Sequence, residues 1–284
     1  MKLAVVIPTY NSPEALRKTL LGFVAQTRPA DELIVADDGS EAGTAAVLAK
    51  PPIDRLPVQH VWHPDEGWTK PVILNVAIAH LSSDYVVFCD GDSVPRADFL
   101  ACHERMSRPG CYASGTRVHL PESVHRNLSD RDILSGRMFD YDFLYERWGG
   151  VQRFRRRLAA GRWEGLLNLL TWRYGVFHGC NASAWRKDLL RVNGFNESFG
   201  YGYEDRELGA RLNNAGCRSR WLKYSLCQSH LDHPASGVGR SQIEANRRRF
   251  HKVRFSRTTR TEPGIDTALY RWQQRLSAAA NRAA

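Results

Sequence analysis

Leu3 to Ile7 is an unbroken apolar run, and Pro8-Thr9-Tyr10-Asn11 closes it. A short apolar run rich in β-branched residues and ended by turn formers reads as a buried strand leading into a loop. Ser12-Pro13-Glu14 is a helix start, and Leu16, Leu20, Phe23 and Val24 follow it with helical spacing. Glu32 to Ala36 repeats the strand pattern and ends in Asp37-Asp38-Gly39-Ser40. A helix through Val47 and a short strand at Val58–Trp62 come next. From Trp68 to Leu81 the positions of Val72, Ile73, Val76, Ala77 and His80 mark a helix, and Asp84 to Cys89 is a strand that Asp90-Gly91-Asp92 terminates. Strand and helix thus alternate, which predicts an α/β fold with a mostly parallel sheet flanked by helices. Ligands of such sheets gather at the carboxyl ends of the strands, where Thr9, Asp37, Asp38, Asp90 and Asp92 fall.

The pattern changes over residues 125–174. Phe139, Phe143, Leu144, Trp148, Trp163 and Leu166 sit among arginines, with Arg153 and Arg155–Arg157 as a basic cluster. This stretch reads as a helical, basic insertion in the α/β frame. Beyond it the frame resumes, with Gly175–Cys180 strand-like, Trp185–Val192 and Tyr203–Asn214 helical, and Arg220–Tyr224 strand-like. Residues 241–284 read as a tail of one or two basic helices. The expected organisation is one domain over 1–240, with halves 1–124 and 175–240 around the insertion, and a helical extension over 241–284.

Composition narrows the classes. The chain has 284 residues, of which 43% are apolar and 25% charged, as in an ordinary globular protein. No run of 18 apolar residues is present, which excludes a simple spanning helix. The opening apolar run is too short for a signal peptide, so a cytoplasmic location is expected. Six cysteines without a Cys-x-x-Cys pair read as free, buried thiols. The net charge of +10 is uneven: residues 1–124 carry −4 and residues 240–284 carry +8. That asymmetry, with aromatics interleaved among the arginines of 125–174 and 241–284, points to an anionic partner. An anionic membrane surface holding a lipid-linked acceptor ranks level with plain solvated arginine-rich helices whose aromatics are core, a phosphorylated or acidic glycan comes next, and nucleic acid last.

No Gly-x-Gly-x-x-Gly follows a strand and no Walker loop occurs, which argues against dinucleotide dehydrogenases and P-loop nucleotidases. Asp-x-Asp occurs three times, where 17 aspartates would supply about one by chance. Only Asp90-Gly91-Asp92 directly follows a buried strand; Asp130/Asp132 and Asp140/Asp142 read as solvated helix faces. Two carboxylates on a tight turn suit a hard divalent cation, Mn²⁺ or Mg²⁺, with substrate phosphates completing its shell. Such an ion neutralises a leaving diphosphate.

In order along the chain, Val5-Val-Ile-Pro-Thr-Tyr-Asn11, Val35-Ala-Asp-Asp-Gly-Ser40, Gly67-x-x-Lys70 with Asn75, and Cys89-Asp-Gly-Asp92 resemble the motifs of glycosyltransferase family 2. Gly179-Cys-Asn181 and Gly194-Phe195 through Tyr201-Gly-Tyr203-Glu204-Asp205 to Leu212 resemble the acceptor segment of chondroitin-polymerase and β-1,4-galactosyltransferase enzymes. The resemblance implies a GT-A fold and an inverting, metal-dependent transfer from a nucleotide-sugar, a UDP-sugar first, to a glycan or glycolipid hydroxyl of a bacterial-type surface polysaccharide or lipopolysaccharide. It places Pro8, Thr9, Tyr10, Asp37 or Asp38, Lys70, Asn75, Asp90, Gly91 and Asp92 around the donor. Asp90, Asp92 and His230, with His233 as second choice, would hold the metal. Asp205 would be the general base, with Glu204, Asn181, Tyr201 and Tyr203 around the acceptor.

Overall fold

The computed structural model of the chain describes residues 1–148, 163–170, 176–233 and 239–283. Its first half runs β1 (Leu3–Thr9), α1 (Pro13–Val24), β2 (Glu32–Asp37), α2 (Ala42–Leu48), β3 (Val58–Trp62), α3 (Lys70–His80) and β4 (Tyr85–Cys89). Then come β5 (Ser93–Pro95), α4 (Phe99–Met106), β6 (Cys111–Ser114) and β7 (Thr116–Leu120). Short helices follow: α5 (Glu122–His125), α6 (Asp130–Leu134), α7 (Tyr141–Trp148) and α8 (Glu164–Leu170). The chain finishes with β8 (Asn181–Trp185), α9 (Arg186–Arg191), α10 (Glu204–Asn214), β9 (Arg218–Trp221), β10 (Cys227–Leu231), α11 (Arg240–Ser256) and α12 (Ile265–Ala283).

The main sheet has the order β3-β2-β1-β4-β8-β6-β9, with β3, β2, β1 and β4 parallel and β8 antiparallel to both its neighbours. A second sheet, β5-β10-β7, stands beside it. Side chains alternate across the main sheet as the period of two demands. Leu3, Val5, Ile7, Leu33, Val35, Tyr85 and Val87 enter the core under α1 and α2. Ala4, Val6, Ile34, Ala36, Val86 and Phe88 enter the opposite core, under α3, α10 and α12. Because both faces are covered, these strands read as continuous apolar runs. The chain order reverses where β1 lies between β2 and β4, so the carboxyl ends of these strands open a crevice.

Several expectations need correction. The strand expected at Gly175–Cys180 lies one step later, as β8. Its small residues, Ala182, Ser183 and Ala184, fit between β4 and β6, whereas residues 176–180 only turn into it. The strand expected at Arg220–Tyr224 begins earlier, at Arg218. Asp132 is not a solvated helix residue: with Ser129 it forms a capping box at the start of α6. Asp140 accepts the amide N–H groups of Asp142 and Phe143, and so starts α7. In the insertion, α8 docks on the frame through Asn168, which donates to Ser225 Oγ and accepts from the Tyr224 amide, and through the Glu164–Arg96 ion pair. Arg153 and Arg155–Arg157 lie outside the described residues. The tail forms two helices; α12 covers α3, and the Trp272 indole donates to the Trp62 carbonyl at 2.8 Å. No disulfide joins any of the six cysteines, and five of them are buried.

Candidate active site

A cleft of about 1540 Å³ runs across the carboxyl ends of β1, β2 and β4 to the start of α10. Its floor is a close approach of two turns. The Gly91 amide donates to the Pro8 carbonyl at 3.1 Å, and a Cβ at Gly91 would stand 2.8 Å from that oxygen. Glycine is therefore required between the two aspartates. Thr9 faces the cleft, and its Oγ1 is buried with no protein partner among the described residues. Tyr10 lies at the mouth, half exposed, its hydroxyl donating to Asp65 at 2.9 Å.

The two neighbouring aspartates after β2 have different fates. Asp38 lines the cleft and accepts from the Thr69 amide at 2.9 Å and the Thr69 hydroxyl at 2.6 Å, with His63 Nε2 at 3.2 Å. Burial alone would lower the His63 pKa, but the Asp38 carboxylate beside it raises it overall. Asp37 does not reach the cleft. It accepts from the Ser40 amide and lies 2.9 Å from His60 Nε2, so it serves the turn that carries Asp38. Asp37 is thereby removed from the donor set.

Lys70 opens α3, and its Nζ lies 2.8 Å from Asp90 Oδ1. Burial alone would lower the lysine pKa, but the charge of Asp90, with Glu204 and Asp205 beyond it, raises it overall. Asp92 takes a different set of partners: His230 Nδ1 is 3.0 Å from Oδ1, and His233 Nε2 is 3.2 Å from Oδ2. Burial would raise the Asp92 pKa, yet the two imidazoles hold it well below the usual carboxylate range. One ligand atom from each of Asp92, His230 and His233 lies within 4.8 Å of the others. One carboxylate and two imidazoles make a fitting donor set for a divalent transition ion. Both histidines thus converge on Asp92, rather than one replacing the other, while Asp90 is engaged by Lys70.

Across the cleft, α10 begins with Glu204 and Asp205. Asp205 Oδ2 accepts the Gly179 amide at 3.0 Å, and Oδ1 accepts the Arg206 amide at 2.6 Å. Glu204 Oε2 is buried with no protein partner among the described residues. Burial first, and then the charge of Asp205, pushes the Glu204 carboxyl up to about 7, partly offset by Lys70. Tyr201 and Tyr203 line the same wall, and Trp68 meets the Tyr201 ring edge-on at 6.0 Å.

Two expected site residues are structural instead. Asn75 is fully buried: its amide donates to the Phe195 carbonyl and to Glu197, and its Oδ1 accepts the Phe195 amide at 2.7 Å. It ties α3 to the loop before α10. Asn181 is also fully buried, its amide donating to the Thr116 and Leu226 carbonyls, and so stitches the two sheets together. Neither lines the cleft. Sequence reasoning missed Trp68, Thr69 and His63. Trp68 and Thr69 lie inside the Gly67-x-x-Lys70 motif, which was the available signal, whereas the link of His63 to Asp38 is tertiary and left none.

The sequence model of glycosyl transferase family 2 matches residues 4–189, well over half the chain. The chain belongs to glycosyl transferase family 2. A second model, described as the N-terminal domain of galactosyltransferase, matches residues 170–233, the part that carries Glu204, Asp205, His230 and His233. An uncharacterised glycosyltransferase of Bacillus subtilis is 26% identical over 276 residues, spanning 87% of this chain and 69% of that protein. The chondroitin synthase of Escherichia coli is 27% identical over 236 residues, spanning 79% of this chain but only 34% of that protein. Among solved structures, a mannosyltransferase of Pyrobaculum calidifontis in complex with GDP-Man and Mn²⁺ superposes with a TM-score of 0.57. It is 20% identical, over 99% of this chain and 78% of that one. That likeness establishes the GT-A fold for this family 2 glycosyltransferase.

Proposed function

We propose that this glycosyltransferase moves a sugar, with inversion and a divalent cation, from a UDP-sugar to a hydroxyl of a glycan or glycolipid in bacterial-type surface polysaccharide synthesis. The observation that carries the reading is one cleft that gathers Asp38, the Lys70–Asp90 pair, the Asp92–His230–His233 cluster and the Glu204–Asp205 pair. The GDP-Man and Mn²⁺ complex of the structural neighbour supports a nucleotide-sugar donor and a divalent metal, and the likeness to a chondroitin synthase supports a glycan acceptor.

Each group has a role that its surroundings allow. The Asp38 carboxylate, fixed by Thr69, accepts the imide N–H of the base, and the unpartnered Thr9 hydroxyl supplies a further polar contact. Lys70 brings positive charge to the donor phosphates. Asp92, His230 and His233 would hold Mn²⁺ or Mg²⁺, which when bound would offset the charge of the departing diphosphate. Asp205 takes the proton of the acceptor hydroxyl. That oxygen then bonds to the anomeric carbon, and the bond from carbon to diphosphate oxygen breaks on the opposite side. The nucleoside diphosphate leaves with the electron pair, and the single displacement inverts the centre. The Gly179 amide holds Asp205 in place for this step. Glu204 hydrogen-bonds the acceptor hydroxyls.

A specific observation favours a second reading. A general base works best with a pKa near the working pH, and Glu204 has been pushed up to about 7. Asp205→Asn and Glu204→Gln separate the two. With Asp205 as base, Asp205→Asn lowers kcat by about 10²–10⁴-fold and leaves UDP affinity unchanged, while Glu204→Gln chiefly raises the acceptor KM. The opposite pattern makes Glu204 the base, and full transfer by Asp205→Asn removes Asp205 from the mechanism.

A further inference from the structure

α11 is a strongly basic, solvent-facing helix, and among its described residues the buried one is polar: Asn246, only 3% exposed. A buried amide is costly unless its hydrogen bonds are made. Asn246 Nδ2 makes them to three successive backbone carbonyls, those of Gly200, Tyr201 and Gly202, at 3.3, 3.1 and 2.9 Å. Two amide hydrogens are thus shared among three acceptors. Three carbonyls of one segment converge only where the backbone is sharply bent, and here Gly202 (φ +89°) and Tyr203 (φ +71°) are both left-handed. A tyrosine at positive φ is strained and persists only where its surroundings hold it.

One face of α11 supplies that hold. Gln242, Ile243, Asn246, Arg249 and Phe250 recur at helical spacing, and each meets this loop or the cleft beside it. The Gln242 amide fills the space a Cβ would take at Gly200. Ile243 lines the cleft itself. Arg249 donates to the Ser198 carbonyl at 2.7 Å and lies over the Phe199 ring. The Phe250 ring lies 5.7 Å from that of Tyr203. The segment so gripped carries Tyr201 against Trp68, and its next two residues are Glu204 and Asp205.

We propose that Asn246 is a positioning residue for the acceptor side of the cleft, the clamp of a brace that α11 lays along residues 198–203. The acceptor role rests on the reading proposed above; the clamp itself does not. The donor side stands on β1, β2 and β4, whereas among the described residues the hydrogen bonds of the Asn246 side chain all go to residues 200–202. Loss of the clamp therefore loosens the acceptor wall and leaves donor binding in place.

The test compares wild type with Asn246→Asp, isosteric but without the amide donor, with Asn246→Ala, and with Arg247→Ala as a control on the exposed ion pair with Glu244. Hydrogen exchange of the peptide spanning residues 198–206 reads the clamp without any reaction. Calorimetry with UDP and Mn²⁺ reads the donor side. Nucleotide release with free glucose, N-acetylglucosamine and glucuronic acid as acceptor probes reads the acceptor KM. In both Asn246 variants we expect exchange of 198–206 faster by about tenfold, UDP affinity within about twofold, and acceptor KM raised by about tenfold, with Arg247→Ala unchanged. Unchanged exchange overturns the clamp. Faster exchange with an unaltered acceptor KM, or with an equal loss of UDP affinity, overturns its positioning role. A wild type that binds UDP but transfers to no probe counts against the proposed donor and acceptor pair, while the exchange result still supports or overturns the clamp.

Discussion

Glu204 is held in a costly state by its surroundings. Burial and the charge of Asp205 raise its carboxyl from the ordinary 4.5 to about 7. Between those two pH values the folded chain binds a proton that the unfolded chain has released. Stability contributed by this group therefore falls as pH rises from about 4.5 to about 7, and stays low above that. The full shift corresponds to about 3 kcal/mol. Glu204→Gln removes the ionisation, so urea unfolding should show the variant more stable than wild type by about 1–3 kcal/mol at pH 8 and equal to it near pH 4. An equal gain at both values would mean that packing, and not charge, explains it. The sequence made the Glu204–Asp205 pair visible because it follows an aromatic-glycine run. It left open which of Asp37 and Asp38 faces the cleft, because that choice is made by Ser40 and His60 on one side and Thr69 and His63 on the other. The separate partners of Asp90 and Asp92 were hidden for the same reason.

Within α10, Glu207 and Arg211 show how an element can contradict its sequence pattern. Acids at 204, 205 and 207 look like N-terminal charges set against the helix dipole. Glu207, however, is fully buried and bidentate with Arg211, at 2.8 and 2.7 Å. The same guanidinium donates to the Val192 and Gly194 carbonyls, so α10 is locked to the turn that precedes its loop. Removing one partner of such a pair strands a buried charge. Glu207→Ala should cost about 3–5 kcal/mol in urea unfolding. Arg211→Lys should fail to restore stability, because one ammonium cannot span a carboxylate and two carbonyls. A cost below about 1 kcal/mol for Glu207→Ala would show that the guanidinium finds other partners. Elements with a plain apolar period, β1, β2, β4, α1, α3 and α10, were legible in the sequence. The strands β5 and β6 span only three and four residues, and β10 buries Gln228, Ser229 and His230, so neither length nor hydropathy announced them. Of the polar residues of β10, Gln228 donates to the Cys180 carbonyl and His230 faces Asp92, whereas the buried Ser229 hydroxyl has no protein partner among the described residues.

The whole molecule divides the cleft between two halves of the chain. The acidic first half carries Asp38, Asp90 and Asp92 on strand ends, and the basic second half brings His230, His233, Glu204 and Asp205 across to them. The cluster proposed to hold the metal is thus shared, Asp92 from one half and two histidines from the other, while the proposed nucleotide and acceptor walls are separate. No described helix is long and apolar enough to cross a membrane. The division makes a prediction about stability that needs no acceptor. A ligand that binds only the folded chain raises its apparent stability by about 2.7 kcal/mol at a hundredfold excess over Kd. UDP with Mn²⁺ should therefore raise the melting temperature, and EDTA should reduce that rise to the metal-free level. Asp38→Ala should lose most of the nucleotide shift. Asp92→Asn and His230→Ala, on opposite halves, should each lose the metal-dependent increment and keep the rest. Asp205→Asn should keep both, because the proposed mechanism sets its carboxylate on the acceptor. If His230→Ala kept the full increment, the ion would be held without His230, and if the double variant with His233→Ala kept it too, by the first half alone. If Asp205→Asn lost the nucleotide shift as Asp38→Ala does, the two walls would not be independent.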